Sequence, residues 1–362
     1  MHKSGSNRIK NLILPNYLTF LLDPNIKKLY LDFRVIASFL KCLKYFKISS
    51  MNLFSFSARG IISQLWRIYI LCIIKLVKPK IIITLIDDSP VFHWLSKNYK
   101  GPQFMAVQNG SRIKTQLMNV KEPYNIQHFF CFGNHDKENY EKMRFEVENY
   151  YPIGSLLASY YGNKKHSIKY DICLVSSWRG NLDNSIDVQM TMKSMKILDG
   201  FLSKYNNTRN VKIGIVLRSE PNSEHRDVPI YGDEKKYFET IYGKNIELID
   251  PLFTQRNIYK VMDQSNIIIS FGSTAAIEAF GFRKKVLLCD FTSTDLYNDY
   301  DQIILFKENN YNLFEEQLDR LRKIPQEEYE EKIVQYASYL MNYDPNKPTH
   351  LFIRQKIQSF LQ

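Results

Sequence analysis

Residues 81–90 read Ile-Ile-Ile-Thr-Leu-Ile-Asp-Asp-Ser-Pro. The first six are apolar or β-branched, with no alternation. A strand with one wet face alternates; an unbroken run belongs to a strand covered on both faces, as in a parallel sheet. The run stops at Asp87-Asp88. Ser89-Pro90 then has the form of a helix start, a hydroxyl cap followed by a proline in the first turn, so a helix is expected through about Tyr99.

The same rhythm extends outward. Strands are expected at 104–107, ending in Gln108-Asn109-Gly110, and at 128–132, ending in Gly133-Asn134, followed by a charged helix from 136 to about 149. The polar stretches Pro152–Ser155 and Gly162–Ser167 read as a linker. Beyond it, strands are expected at 171–175, 211–217, 246–249, 267–270 and 286–289. Helices are expected at 185–205, 257–264 and 275–280, with helical character from 313 and a last helix near 350–361. Strands alternating with helices imply an α/β fold with parallel sheets. The expected division is 1–160, 168–340 and a C-terminal helix 341–362.

A chain of 362 residues with 44% apolar and 14% aromatic content supports two buried cores and excludes disorder. Five scattered cysteines without a C-x-x-C pair exclude a disulfide scaffold or cysteine zinc site and fit a reducing cytoplasm. The net charge of +12 is lopsided. Residues 1–100 hold 16 Lys/Arg against Asp23, Asp32, Asp87 and Asp88, and the other 33 Lys/Arg and 33 Asp/Glu cancel. Such a one-sided field suits an anionic partner. Tyr45, Phe46, Phe54 and Phe56 beside Lys41, Lys44 and Lys47 suit an anionic membrane face better than nucleic acid, for which no recognition motif appears. No signal peptide is evident. Residues 57–78 carry too many charges to span a bilayer. They read as a helix buried between layers, or as an interfacial helix using Arg59, Arg67, Lys75 and Lys78.

In open parallel sheets ligands bind beyond the carboxyl ends of strands, so those positions are the candidates. Phe271-Gly272-Ser273-Thr274 delivers a glycine and two hydroxyls into a helix start, an anion site by its free amide groups and dipole. Ser273 and Thr274 would donate to phosphate, and Glu278, one turn on, would meet ribose hydroxyls; a plain N-cap satisfies the same pattern. Ser176, Ser177 and Arg179 end one strand and Arg218 the next, offering hydroxyls and cations to a diphosphate. In a parallel sheet these three ends converge on one wall. In the first half, Asp87 and Asp88 are candidates for a general base. Gln108, Asn109 and Arg112 suit an acceptor oxygen or phosphate. Gly133-Asn134-His135-Asp136 reads equally as a capped helix start. No G-x-G-x-x-G, Walker loop, H-x-x-x-H pair or G-x-S-x-G elbow is present.

The run 78–87, the turn Val107-Gln108-Asn109-Gly110-Ser111-Arg112, Phe132-Gly133, Pro152-Ile153-Gly154-Ser155 and Phe271–Ala275 together resemble bacterial surface-carbohydrate biosynthesis proteins, sugar transferases of surface-polysaccharide synthesis. More distantly the chain is similar to two-domain GT-B glycosyltransferases, including Kdo- and sialyl-type enzymes and teichoic acid glycerophosphate polymerases. The resemblance implies two Rossmann-like domains facing a cleft, the second holding a nucleotide donor and the first an acceptor. It implies a glycosyltransferase moving sugar from a nucleotide sugar to a glycan or lipid-linked glycan. No cofactor or metal is expected, and the place of action is the cytoplasm or the inner membrane face. Alternatives on the same fold are a CDP-linked polyol-phosphate transferase, a nucleotide-sugar epimerase and a catalytically silent binding protein. Asn109-Gly110 stands where the polymerases carry His-Gly, so a base on that histidine is absent. Glu220-Pro221 stands where sialyl-type enzymes show His-Pro.

Overall fold

A computed structural model describes residues 11–13, 58–112, 117–118, 120, 123–162, 166–180, 186–221, 231–243, 246–252, 256–292 and 300–362. The aromatic and lysine positions 41–56 expected at a membrane face lie outside the described residues. The first half holds β1 (Asn11–Ile13), α1 (Ala58–Val77), β2 (Ile81–Thr84), α2 (Pro90–Asn98), β3 (Gln103–Val107), β4 (Asn125–Cys131), α3 (Asn134–Lys142), β5 (Glu146–Pro152) and α4 (Leu156–Tyr161). The second holds β6 (Tyr170–Val175), α5 (Ile186–Arg209), β7 (Ile213–Val216), α6 (Tyr231–Tyr242), β8 (Ile246–Ile249), α7 (Asn257–Asp263), β9 (Ser265–Ser270), α8 (Thr274–Gly281), β10 (Lys285–Cys289) and β11 (Leu305–Phe306). Three helices close the chain: α9 (Tyr311–Lys323), α10 (Gln326–Leu340) and α11 (Thr349–Leu361).

Two all-parallel sheets result, ordered β1-β2-β3-β4-β5 and β11-β10-β9-β6-β7-β8. The continuous apolar runs are explained by burial on both faces. Ile82, Phe104, Ala106 and Phe129 pack under α1, α2 and α3 through Leu71, Ile74, Phe92, Leu95 and Tyr140. Their alternate neighbours Ile81, Ile83, Met105, Val107 and Phe130 meet Ile353 of α11 on the opposite face. Each such side chain is worth about 1.5–3 kcal/mol when removed from water. The last helix therefore returns from the second half to cover the first sheet, and Lys80 Nζ donates to the Leu361 carbonyl at 2.8 Å.

The return path is tight. The segment 339–342 lies against glycines of both halves. A Cβ on Gly133 would stand 2.1 Å from the Tyr339 carbonyl oxygen, one on Gly154 2.7 Å from that of Asn342, and one on Gly281 2.3 Å from Met341 Cγ. The Asn342 amide donates to Phe132 O at 2.8 Å and its side chain to Pro152 O at 2.7 Å.

Three expectations need correction. The helix foreseen from 136 to 149 ends at Lys142; Arg144 takes a left-handed φ of 57° and the chain re-enters the sheet as β5. Its charged residues Glu146 and Glu148 suit an edge strand, and they hid the strand pattern. Helix α6 was not foreseen, nor was the two-residue strand β11. Helix α1 packs on the first sheet along Ile70, Leu71 and Ile74, while Ile62 and Trp66 nearer its start are exposed. Among the described residues no helix is long and apolar enough to cross a membrane.

Between α5 and α6, buried Asp199 accepts hydrogen bonds from Tyr237 (2.7 Å) and Tyr242 (2.9 Å). Burial pushes its pKa up to about 7, against the opposing pull of the two tyrosine hydrogen bonds. A carboxyl raised in the fold contributes stability that is full below its unfolded value near 4 and is lost as pH rises through 7. Urea midpoints of the native chain should therefore fall from pH 5 to pH 8, and Asp199→Asn should fall less; equal falls contradict the assignment. Gly133→Ala should cost roughly 3 kcal/mol, because a backbone carbonyl cannot move aside for the added methyl. Gly200→Ala on α5 meets nothing within 4 Å and should stabilise by about 0.5–1 kcal/mol in the same denaturation assay.

Candidate active site between the sheets

In the second sheet the chain runs β6, β7, β8 to one side and then β9, β10, β11 to the other. The order reverses between β6 and β9, the kind of switch point beyond whose strand ends ligands of open parallel sheets bind. The ends of β9, β6 and β7 are consecutive there, so the segments after Ser270, Val175 and Val216 stand side by side. After β9, Gly272 turns the chain with φ 64°, a conformation costly for other residues. Ser273 caps α8, its hydroxyl oxygen accepting the Ala275 amide at 3.3 Å. The next amide, that of Ala276, donates to the Ser273 carbonyl at 3.1 Å, so the cap residue holds the first turn of α8.

The hydroxyls after β6 are spent inside the protein. Ser176 donates to Glu234 Oε1 at 2.6 Å, and Ser177 donates to the Phe271 carbonyl. These bonds use the single hydrogen that a phosphate would have needed from each, so both serines shape the wall rather than offer donors. Buried Glu234 also accepts the amides of Arg218 and Ser219, both at 2.9 Å, and the Ser219 hydroxyl. It clamps the ends of β6 and β7, and the sequence reading missed it. The signal is a Glu on the same helical face as Phe238 and Tyr242, both buried. Arg179 is half-buried after the turn, where its amide meets Met192 Sδ at 3.3 Å; Arg218 is half-buried at the end of β7.

In the first half, the two adjacent carboxylates separate in role. Asp87 is 0% exposed. It receives Arg112 Nη2 at 2.6 Å and Nε at 3.0 Å, Tyr140 OH at 2.8 Å and the Asn109 amide at 3.4 Å. Asp88 keeps 42% of its side chain exposed, with Arg112 Nη2 3.4 Å away. Burial works against the Arg112 cation, but the charge and hydrogen bonds of Asp87 outweigh it and raise its pKa. Asn109 is exposed and its side-chain oxygen accepts Arg112 Nη2 at 2.9 Å. Gln108 is buried. Its amide donates to Asp136 at 2.8 Å and to Gly110 O at 3.0 Å, and accepts Phe132 N at 2.9 Å. Gln108 thus builds the turn from within, with no hydrogen left for an acceptor substrate. Asp136 does not cap α3, whose cap is Gly133; it is buried against Gln108, and that burial pushes its pKa up to about 7.

The two halves touch here. The Ser111 amide donates to Thr274 Oγ1 at 3.0 Å, and Ser111 Oγ lies 2.8 Å from Tyr300 OH. The His135 ring lies 5.3 Å from that of Tyr300. One turn along α8, Glu278 is buried, accepting Ser155 Oγ at 2.5 Å and Tyr259 OH at 3.1 Å. Burial pushes its pKa to about 7, with both hydroxyls pulling the other way. Of the residues singled out in the sequence, Arg112, Asp87, Asp88 and Asn109 form one cluster, and Ser273, Thr274 and Glu278 share the helix that this cluster's turn touches.

No curated protein matches the chain in sequence. Among solved structures it is similar to a putative UDP-N-acetylglucosamine 2-epimerase from Listeria monocytogenes, with a TM-score of 0.54 at 16% identity over 83% of this chain and 79% of that one. A further UDP-N-acetylglucosamine 2-epimerase gives 0.54 at 13% identity over 84% and 79%. These likenesses establish the GT-B fold, two parallel-sheet α/β halves facing each other. A family model described as "putative O-antigen biosynthesis protein" matches residues 105–357, which include both sheets' strand ends from β3 onward. That is more than half of the chain, and the protein belongs to this family.

Proposed function

We propose that this protein is a glycosyltransferase that moves a sugar from a nucleotide-sugar donor to a bacterial surface glycan or its lipid-linked precursor. The observation that carries this reading is the meeting of the two sheets' strand ends at Ser111 and Thr274, with the start of α8 on one side and a half-exposed carboxylate on the other. Membership of the O-antigen family supports a role in glycan synthesis.

In the proposed reaction, the donor phosphates lie against the first turn of α8, where backbone amides, Ser273 and Thr274 donate to them. Arg179 and Arg218 stand at the adjacent strand ends and stabilise the charge that grows on the leaving phosphate. Asp88 takes the proton from the acceptor hydroxyl. The acceptor oxygen bonds to the anomeric carbon as the bond from that carbon to the phosphate oxygen breaks, and the electron pair leaves with the nucleotide. Asp87 has no free role as a base, since its oxygens hold Arg112, Tyr140 and Asn109; it fixes Arg112 beside Asp88. Asn109 and Arg112 border the acceptor side. With arginines and the helix dipole facing the phosphates, the transfer needs no metal ion, and the cationic residues 1–100 hold the protein at an anionic membrane face.

Nucleotide release should be assayed with a panel of UDP-, GDP-, CMP- and CDP-linked donors, with and without glycan acceptor and with and without chelator. Acceptor-dependent release, unaffected by chelator, is expected. Interconversion of the donor without release would mean an epimerase, transfer from only a CDP-polyol would mean a phosphotransferase, and neither binding nor turnover would mean a silent protein. Asp88→Asn should lower kcat by about 10²–10⁴-fold with nucleotide affinity unchanged. Asp87→Asn, which leaves a buried guanidinium short of its counter-charge, should instead lower stability by about 3–5 kcal/mol. Salt-sensitive pelleting with anionic vesicles, and not with neutral ones, is the outcome expected of the membrane contact.

A further inference from the structure

We infer that Glu234 is a positioning residue: it fixes the main chain at Arg179 and Arg218 so that both guanidinium groups serve one phosphate, and it thereby sets how strongly the protein prefers a nucleotide to the bare nucleoside. The inference rests on the reading proposed above, in which these two arginines meet the donor's leaving phosphate. Glu234 is 0% exposed, and its partners come from two neighbouring strand ends. Its Oε1 accepts the Ser176 hydroxyl at 2.6 Å and the Arg218 amide at 2.9 Å; its Oε2 accepts the Ser219 amide at 2.9 Å and the Ser219 hydroxyl. Ser176 Oγ in turn accepts the Trp178 amide at 3.1 Å. A continuous relay therefore runs from the amide one residue before Arg179, through Ser176 and Glu234, to the amide of Arg218 itself. Such a set of donors suits a carboxylate, whose two oxygens offer about four lone-pair sites; a neutral amide in its place would turn hydrogens toward some of them.

The helix that carries Glu234 is itself held from several sides. Phe238 and Tyr242, one and two turns further along the same face of α6, are buried. Tyr237 OH donates to Asp199 of α5 at 2.7 Å, and Tyr231 OH donates to Asp250 Oδ1, just after β8, at 2.5 Å. The Trp178 ring lies 5.7 Å from that of Tyr237. Gly180, with φ 57°, passes so close over Trp178 that a Cβ there would stand 2.8 Å from the indole. Arg179 is thus bracketed by a ring packed on α6 and a turn folded over that ring, while Arg218 is held by its own amide and that of its neighbour on one carboxylate. A long cationic side chain loses less freedom on binding when its main chain is already fixed, and the planar guanidinium gains most where it meets a phosphate. The sugar and base of a nucleoside offer it no such charge.

The test compares UDP with uridine, GDP with guanosine and CMP with cytidine by displacement calorimetry, following whichever pair binds tightest. The full chain is set beside Glu234→Gln, Ser176→Ala, Ser176→Thr, Arg179→Ala, Arg218→Ala and the double variant of Glu234→Gln with Arg218→Ala. Glu234→Gln should weaken the nucleotide about 10-fold and the nucleoside less than about 2-fold. Ser176→Ala breaks one link of the relay and should weaken the nucleotide about 3–10-fold, the worth of one net hydrogen bond, while Ser176→Thr keeps the hydroxyl and should bind as the native chain does. This pair carries the test if Glu234→Gln fails to fold. Added to Arg218→Ala, Glu234→Gln should cost the nucleotide less than about 3-fold, because both then act on one contact. Equal losses of nucleotide and nucleoside in Glu234→Gln or Ser176→Ala mean a clamp with no positioning role and overturn the inference, as do losses that multiply in full in the double variant. Native nucleotide affinity in Glu234→Gln and Ser176→Ala, with Arg179→Ala or Arg218→Ala weakened, overturns the positioning and leaves the donor site intact. Nucleotide binding that neither arginine variant weakens overturns the donor reading, and the inference with it.

Discussion

The close passage of backbone against backbone where the chain returns to its first sheet constrains the rest of the molecule. Segment 339–342 has no room for a methyl group at Gly133, Gly154 or Gly281. These glycines end β4, follow β5 and close α8, so one stretch of chain sets the spacing of three elements that border the candidate site. Helix α3 starts at Gly133 and carries His135 and Asp136 to the seam. Helix α8 ends at Gly281 with its first turn against Ser111. A shift in the crossing would move the turn 108–112 and helix α8 relative to each other.

Around that crossing, buried carboxylates gather hydrogen-bond donors from several segments. Glu234 collects a serine hydroxyl and two amides from the ends of β6 and β7 in addition to Ser219's hydroxyl. Asp87 collects an arginine and an amide from the turn after β3 and a tyrosine from α3. A buried carboxylate without such partners is costly, and with them it ties neighbouring strand ends together. Loops at the strand ends are thus held by charge as well as by apolar anchors such as Trp178, Leu217 and Phe271, while the sheets beneath are held by hydrocarbon.

This division explains what the sequence disclosed. Strands such as 81–86 and 267–270 were legible because burial on both faces writes an unbroken apolar run, although the first ends at Thr84 and leaves Leu85 exposed. Helix starts at Ser89 and Ser273 were legible because a cap is a local signal; both side chains accept the expected amides. Strand β5 was not legible, because an edge strand with Glu146 and Glu148 imitates a solvated helix. The positions at strand ends were legible as a set, and the parallel order of β9, β6 and β7 brings them side by side. The role of each was not. Ser176, Ser177 and Gln108 look like ligand groups in sequence, yet their hydrogens go to Glu234, Phe271 O and Asp136, partners 58, 94 and 28 residues away. The glycines of Phe132-Gly133 and Pro152–Ser155 look like ligand turns too, and they serve the returning chain. Local pattern cannot show a partner at long range.

The pair Asp87-Asp88 shows how far one residue of spacing reaches. Both lie in the turn between β2 and α2, where one is drawn inward and the other left at the rim. Asp87 goes inward and is saturated by Arg112, which is bidentate to it. That pairing holds the guanidinium plane in place, and the same Nη2 then lies 3.4 Å from Asp88 and 2.9 Å from Asn109. Arg112 cannot serve as an anchor for Asp88 alone, because its strongest contacts are already made below. Asp88 pairs with Arg112 at 3.4 Å and keeps 42% of its side chain exposed. In the reaction proposed above, an oriented and accessible carboxylate is what proton removal from a hydroxyl requires. On that reading the inner aspartate, by fixing Arg112, holds the outer one in place, and the two adjacent acids divide anchoring from chemistry between them.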